Sequence, residues 1–333
     1  MSQAPTASRR FINQFEPSER IAGVFAISNA QLGKTKQDKP FLKCLIGDKT
    51  GQLPGRMWSI DPGYFRRLPT EGFVYIEGES QAYQGDLQLI IQLIEPVEIT
   101  PELLQQLLPC TQYNVDEMFA EVARLLDTLQ HPAARALATT YLADEHLMSA
   151  FRQAPAAKAM HHAYIGGLLE HTLQLLRLAN AICPLYPKIN RDIVLLGLFL
   201  HDLGKTRELV YDRTFSYSDR GELIGHIVEG AIMLHDKAQQ AMRATGVRMP
   251  ANFITVLQHI IISHHGIPEF GAAKIPATPE AILVSLLDNL DAKTHMGLAA
   301  ARPDLAATDL GGNFTDKQWG LDTKLFRPDP LAP

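Results

Sequence analysis

The chain has 333 residues, 46% of them hydrophobic, and a formal net charge of −5. That length can bury more than one core, and ordinary domains of about 100–200 residues point to two. The apolar content sets disorder aside, and the negative total argues against coating duplex DNA by bulk attraction, although a local basic patch could still grip a backbone. Cys44, Cys110 and Cys183 form no CxxC pair, so neither a disulfide framework nor a zinc knuckle is indicated, and a reducing, cytoplasmic compartment fits. The first residues lack an apolar signal core, and no stretch offers about 18 successive apolar residues, so no membrane partner is expected.

Residues 1–17 are expected to form a flexible N-terminus. From Ile21 to Ile94 the pattern turns β-rich: IAGVFAIS, FLKCLIGD, QLPGRMWS, FVYIEGES and DLQLIIQLI are short β-branched or aromatic runs separated by Gly, Pro, Asp and Lys. Five strands with a short helical patch at 62–68, between the third and the fourth, match a five-stranded OB-type barrel over residues 18–98. An SH3-like barrel has similar strand spacing. From Thr100 onward the apolar spacing becomes helical, and Pro101 and Pro109 bracket a boundary near 98–112. Connecting helices over 99–154 then lead to an all-α unit over 155–300, where prolines separate helices at 156–181, 189–201, 223–245, 251–264 and 279–296. The tail, 301–333, is expected to wrap the surface. The fold class is therefore multi-domain α+β, a five-stranded barrel followed by a helical bundle.

Histidines and aspartates interrupt the apolar helices. His171 lies in GGLLEHTLQLL, His201 and Asp202 close IVLLGLFLHDLGK, His226 follows in ELIGHIVEG, His264 and His265 stand in IIISHHG, and Asp288 sits in ILVSLLDNLDAK. A carboxylate taken unpaired into an apolar interior costs several kcal/mol, so a His-Asp doublet ending an apolar run calls for a cation. A lone helical histidine is more often a hydrogen-bonded core residue, and His226 alone would be read that way. The doublet reverses those odds, and Lys205, three residues on, offers a cation for phosphate. Imidazole with carboxylate suits divalent manganese first, then iron, cobalt, magnesium or zinc, and the absence of thiolate disfavours a structural zinc.

These residues resemble the HD phosphohydrolase superfamily, whose signature is a histidine, a His-Asp doublet and a distal aspartate on a helical bundle. The resemblance implies that His171, His201, Asp202 and Asp288 hold one metal ion. It further implies that His226, His264 and His265 are the extra ligands of a second ion, bridged to the first through Asp202. More narrowly, KPFLKCLIGDKTGQLPGRMW, HHAYIGGLLEHT, FLHDLGKTREL and LDNLDAK resemble the YhaM-type 3′-to-5′ exoribonucleases, over residues 18–300. That resemblance implies metal-dependent hydrolysis of single-stranded RNA to nucleoside monophosphates, and it alone supplies the direction. Single-stranded DNA remains open as a substrate, and so does self-association.

Phosphodiester hydrolysis needs an activated water and neutralisation of the charge developing on the phosphoryl oxygens, and paired cations supply both. Asp202 and Lys205 are assigned to catalysis. His161 and His162 are candidates for phosphate contact or leaving-group protonation, against a polar helix start as the plainer reading. Glu170 and Asp291 flank ligands and are expected by helical geometry to face elsewhere, which leaves them as candidate outer partners that support the ligands. Residues 31–70 carry eight lysines and arginines against three aspartates, a local net charge of +5. Lys34, Lys36, Lys43, Arg56, Trp58 and Tyr83 are the nucleic-acid candidates, because stacking a base on an aromatic ring is worth about 1–3 kcal/mol and tolerates any sequence. Phe41 and Phe73 are expected to be buried. Two competing readings are an HD phosphohydrolase acting on small nucleotides and a non-catalytic single-strand-binding protein.

Overall fold

A computed structural model describes residues 9–35, 37–83, 86–158, 162–211, 215–302, 313–315 and 317–331. The chain divides into two units, the first ending at Cys110 and the second beginning at Thr111. No helix among the described residues is long and apolar enough to cross a membrane.

In the first unit, β1 (Arg20–Lys34), β2 (Pro40–Asp48), β3 (Gly51–Trp58), β4 (Gly72–Tyr83) and β5 (Asp86–Pro96) close into a barrel in the order β1-β2-β3-β5-β4. The short α1 (Pro62–Phe65) lies between β3 and β4. Closure depends on β1, whose first half pairs with β4 and whose second half pairs with β2. Its register shifts between Ser28 and Gln31, where Asn29 adopts a positive φ of 52°. A bulge of this kind bends and twists a strand, letting one strand serve two neighbours. Strand alternation sends Phe25, Ile27, Leu42, Ile46, Val74, Ile76, Leu89 and Ile94 inward, each at most 2% exposed. The five strands and the intervening helix agree with the pattern in the sequence. Helix α2 (Pro101–Leu107), capped by Thr100, belongs to this unit.

The second unit is built from α3 (Val115–Asp127), α4 (Pro132–Leu142), α5 (Glu145–Gln153), α6 (Gly167–Ile182), α7 (Arg191–Leu200), α8 (Lys205–Glu208), α9 (Asp219–Thr245), α10 (Ala251–Ser263) and α11 (Pro279–Ala301). Helix α7 is the hub. It packs against α4, α6, α10 and α11, and all of its residues from Asp192 to Leu200 are buried. A helix enclosed on every side must be apolar all round, which is why IVLLGLFL shows no polar stripe. Its start is fixed by the Asn190 side chain, which accepts from the Ile193 N–H, and by Asp192, which accepts from the Gln130 and His131 N–H groups. Phe199 packs edge-on against Tyr141 and Phe151, at 5.9 Å between ring centroids in both cases. Truncating a buried phenylalanine to alanine costs about 3–5 kcal/mol, so this cluster anchors the end of α7 that carries His201.

Three local expectations change. The helix expected from 156 starts at Gly167, because Gly166 turns the chain through a left-handed φ of 81° and ends the preceding loop. Helix α9 starts at Asp219 rather than 223 and is broken at Gly225 (φ 75°, ψ 160°), a conformation that side-chain-bearing residues avoid. The unit is also not wholly helical, since β6 (Leu209–Val210) pairs antiparallel with β7 (Ser216–Tyr217). Beyond Arg302, the described residues form isolated bridges between Phe314 and Phe326 and between Gln318 and Thr323.

Candidate metal centre

His201 caps the C-terminus of α7, and His264 caps α10 in the same way. A helix that stops leaves its last carbonyls without an intrahelical donor. Here the ring Nδ1 of each capping histidine supplies one, to Leu198 O and to Ile261 O, both at 2.7 Å. His265 Nδ1 donates to Phe270 O at 2.7 Å. Because a carbonyl oxygen can only accept, these three rings carry their proton on Nδ1, and the neutral ring presents a lone pair on Nε2. Carboxylates perform the same task for the other two rings. His171 Nδ1 donates to Asp291 Oδ2 at 2.7 Å, and His226 donates its ring Nδ1 and its backbone N–H to Glu208 Oε1, each at 2.9 Å.

The Nε2 atoms and two carboxylates then converge. His171 Nε2 lies 3.3 Å from Asp288 Oδ1, and His201 Nε2 lies 3.4 Å from Asp202 Oδ2 and 3.9 Å from Asp288 Oδ1. On the other side of the same aspartate, His226 Nε2 and His264 Nε2 are each 3.5 Å from Asp202 Oδ1. Ligand atoms of His171, His201 and Asp202 lie within 4.8 Å of one another, as do those of His226, His264 and His265. Asp202 therefore stands between two donor sets, with one oxygen turned to each.

A divalent cation fits these residues. The Nε2 atoms of His201, His226 and His264 and Asp202 Oδ1 are buried and make no hydrogen bond among the described residues, an arrangement that is costly unless something else satisfies them. The donor set is imidazole nitrogen and carboxylate oxygen throughout, and each imidazole has an outer partner on its second nitrogen, as metal-ligating histidines commonly do.

Electrostatics agree. Burial alone would raise the Asp288 carboxyl, but the hydrogen bond from His171 and the charge of His201 outweigh it and hold the group well below the usual carboxylate range. Asp202 is likewise held down against burial by Lys205 and His201. Burial would lower His171, yet Asp288 and Asp291 push it up to about 9. His265 has no carboxylate ion pair among the described residues, and burial followed by the nearby His264 pushes it down to about 4.

The structure thus gathers His171, His201, Asp202, His226, His264, His265 and Asp288, the seven metal candidates read from the sequence. Lys205 joins them, its Nζ 2.6 Å from Asp202 Oδ2. His162 does not take the place expected of it. It is 3% exposed and sits behind His171, with Nε2 3.1 Å from Asp291 Oδ2 and Nδ1 2.6 Å from the Tyr164 hydroxyl, so it steadies Asp291 instead of facing a phosphate. His161 lies outside the described residues. Asp291 takes the supporting place left open for it, accepting from His171 Nδ1, and only its expected direction changes: positions 288 and 291 are three apart on α11, and i,i+3 residues share a helix face. Glu170 accepts from the Thr111 hydroxyl and approaches His162 at 3.9 Å.

Two features were missed in the sequence. Glu208 orients His226, and Gly225 breaks α9 beside it. Gly225 supplies the break that turns His226 toward Asp202, and a Cβ on Gly204 would stand 2.1 Å from His226 O. The run GELIGH offered no signal for Gly225, because the reason for that glycine is Glu208, a neighbour distant in the chain.

In the barrel, β2 and β3 pair Phe41 with Trp58 and Lys43 with Arg56, placing all four on the outer face. The Phe41 and Trp58 rings are 5.2 Å apart, and the Arg56 guanidinium is 5.8 Å from the Tyr83 ring. Trp58 and Tyr83 are exposed and Phe73 is buried, as expected. Phe41 is only half-buried, because Leu42 and Cys44 take the inward positions beside it. Lys34 is exposed and paired with Asp38 at the β1–β2 hairpin, and Lys36 lies outside the described residues.

Comparison with known proteins agrees with both units. A family model described as the HD domain matches residues 168–293, which include all seven candidate ligands. Over 319 residues the chain is 31% identical to the 3′-5′ exoribonuclease YhaM of Shouchella clausii (strain KSM-K16), covering 95% of each chain. With identity at this level along nearly the whole of both proteins, the chain belongs to the YhaM family.

Proposed function

We propose that the protein is a metal-dependent 3′-5′ exoribonuclease that shortens single-stranded RNA to nucleoside monophosphates. The observation that carries this reading is Asp202, whose two oxygens face separate histidine sets. In it, His171, His201, Asp202 and Asp288 would hold one divalent cation, and His226, His264 and His265, with Asp202, would hold a second. Manganese is the ion proposed, and the nitrogen and oxygen donors also suit iron, cobalt, zinc or magnesium. Such a pair supplies Lewis-acid stabilisation of phosphoryl charge and a water of lowered pKa.

The chain's own residues do the rest. Asp291 and Glu208 hold His171 and His226 in register, and His162 fixes Asp291. Lys205, kept charged by Asp202 against its burial, is the local cation for phosphoryl oxygens. Lys34, Lys43, Arg56, Trp58 and Tyr83 give the barrel a face of cations and rings suited to a single strand of any sequence. The cysteine pattern suits a reducing cytoplasm.

The test is incubation of purified protein with Mn²⁺ and a 5′-labelled single-stranded RNA. Successive shortening from the 3′ end with release of nucleoside monophosphates is expected. Failure to shorten the strand with any divalent metal would remove the proposal.

A further inference from the structure

One turn beyond the ligand His226 on α9, Glu229 is 2% exposed yet ionically engaged twice. Arg207 Nη1 donates to its Oε1 and Arg220 Nε to its Oε2, both at 2.6 Å. The two guanidiniums are about half-exposed, so the trio is a surface cluster of net charge +1 tethered to a buried anchor. A guanidinium carries five donors, and one bond to Glu229 leaves its outer edge able to take another oxyanion in the planar geometry that phosphate matches.

An aromatic residue lies on the chain segment that joins the two arginines, next to Ser218, which bonds to Arg207 O. Tyr217, on β7, is 43% exposed, and Lys158 Nζ lies 5.8 Å from its ring centroid. Its place is fixed by Ser218, whose N–H donates to Glu208 O at 2.9 Å and whose hydroxyl donates to Arg207 O at 2.8 Å. The hairpin end is thereby stitched to α8, the short helix that carries Lys205 and Glu208. His226 and Glu229 are three residues apart, about 4.5 Å along a helix, so this surface adjoins the metal centre.

An exposed ring with a lysine over it, on the backbone segment bonded to Arg207 and leading into Arg220, joins a base-stacking surface to two cations held by a buried carboxylate, the chemistry that grips a single-stranded nucleic acid. We propose that Tyr217, Lys158, Arg207 and Arg220 form a second RNA-binding subsite within the helical unit, which holds nucleotides next to the one being cleaved. The proposal rests on the exoribonuclease reading. It predicts that the helical unit has its own grip on the strand, separate from that of the barrel.

Its test uses the full-length protein with Mn²⁺ on two substrates, a single-stranded oligoribonucleotide and the small diester bis-p-nitrophenyl phosphate. For Tyr217→Ala and for Arg220→Gln, the fall in kcat/KM on the oligomer is expected to exceed the fall on the small diester by roughly tenfold, mainly through KM. The salt dependence of oligomer binding should also flatten for Arg220→Gln, by about 0.7 in log–log slope for one lost phosphate contact, and Arg220→Lys should restore it. Tyr217→Ala, a change at an exposed position, keeps the test valid if the arginine variants unfold. Equal losses on both substrates, or no loss on the oligomer, would overturn the subsite. A wild-type protein that cleaves the small diester but leaves RNA intact would overturn the exoribonuclease reading and the subsite with it.

Discussion

In the helical unit, each of the five imidazoles around Asp202 is held at Nδ1 by a carbonyl or a carboxylate, and the carboxylates themselves are buried or nearly so. On the barrel face, Trp58 and Tyr83 stand exposed, and Lys34 is tied to Asp38, which is itself exposed. A metal site works only if its donor atoms are fixed before the ion arrives, and it tolerates displacements of a fraction of an ångström. A strand-binding face must accept every base, so loosely held rings and cations serve it well. The two regions are built to different tolerances, and substitutions should therefore hurt them to different degrees.

The largest effect is expected at the shared carboxylate. Asp202→Asn should lower RNA hydrolysis by at least the order of 10³-fold while affinity for the strand, measured by fluorescence anisotropy, stays within a few fold, since several kcal/mol of charge stabilisation depends on the ions it holds. Comparable loss of strand binding would mean that the centre also organises the surface. Next, Asp291→Asn keeps the shape but weakens the acceptor for His171. Metal affinity by calorimetry should drop by about 10–100-fold. Trp58→Ala on the barrel should weaken oligomer binding by roughly tenfold, with its whole effect in KM. A fall in kcat there would erase the distinction between the two regions.

The effect that needs no substitution is one of pH. His171 is raised from 6.5 to about 9 in the metal-free protein, so its contribution to stability is fully present below about 6.5 and is lost as pH rises through about 9. Metal binding must displace that proton. Affinity should therefore climb with pH by up to about tenfold per unit until roughly pH 9, with proton release detectable in buffers of differing ionisation heat.

The parts of the centre that the sequence makes legible are those whose polarity clashes with their surroundings. His201 and Asp202 stand out because α7 is otherwise apolar, and that helix is apolar because four others enclose it. The barrel strands are legible because each alternates inward and outward about short turns. His162 was misread since nothing in HHAYIGG reveals that a buried aspartate, 129 residues away, occupies its ring nitrogen. Glu208 and Gly225 escaped for the same reason, because their significance lies in contacts between α8 and α9. The pairing of β6 with β7 is too short for periodicity to register.

The most direct measurement is anomalous scattering from crystals of the protein grown with Mn²⁺. Two peaks are expected, about 3.5–4 Å apart, one against His171, His201 and Asp288 and the other against His226, His264 and His265, with the Asp202 carboxylate between them. A single peak, or two peaks that leave Asp202 to one side, would contradict a bridged pair of cations.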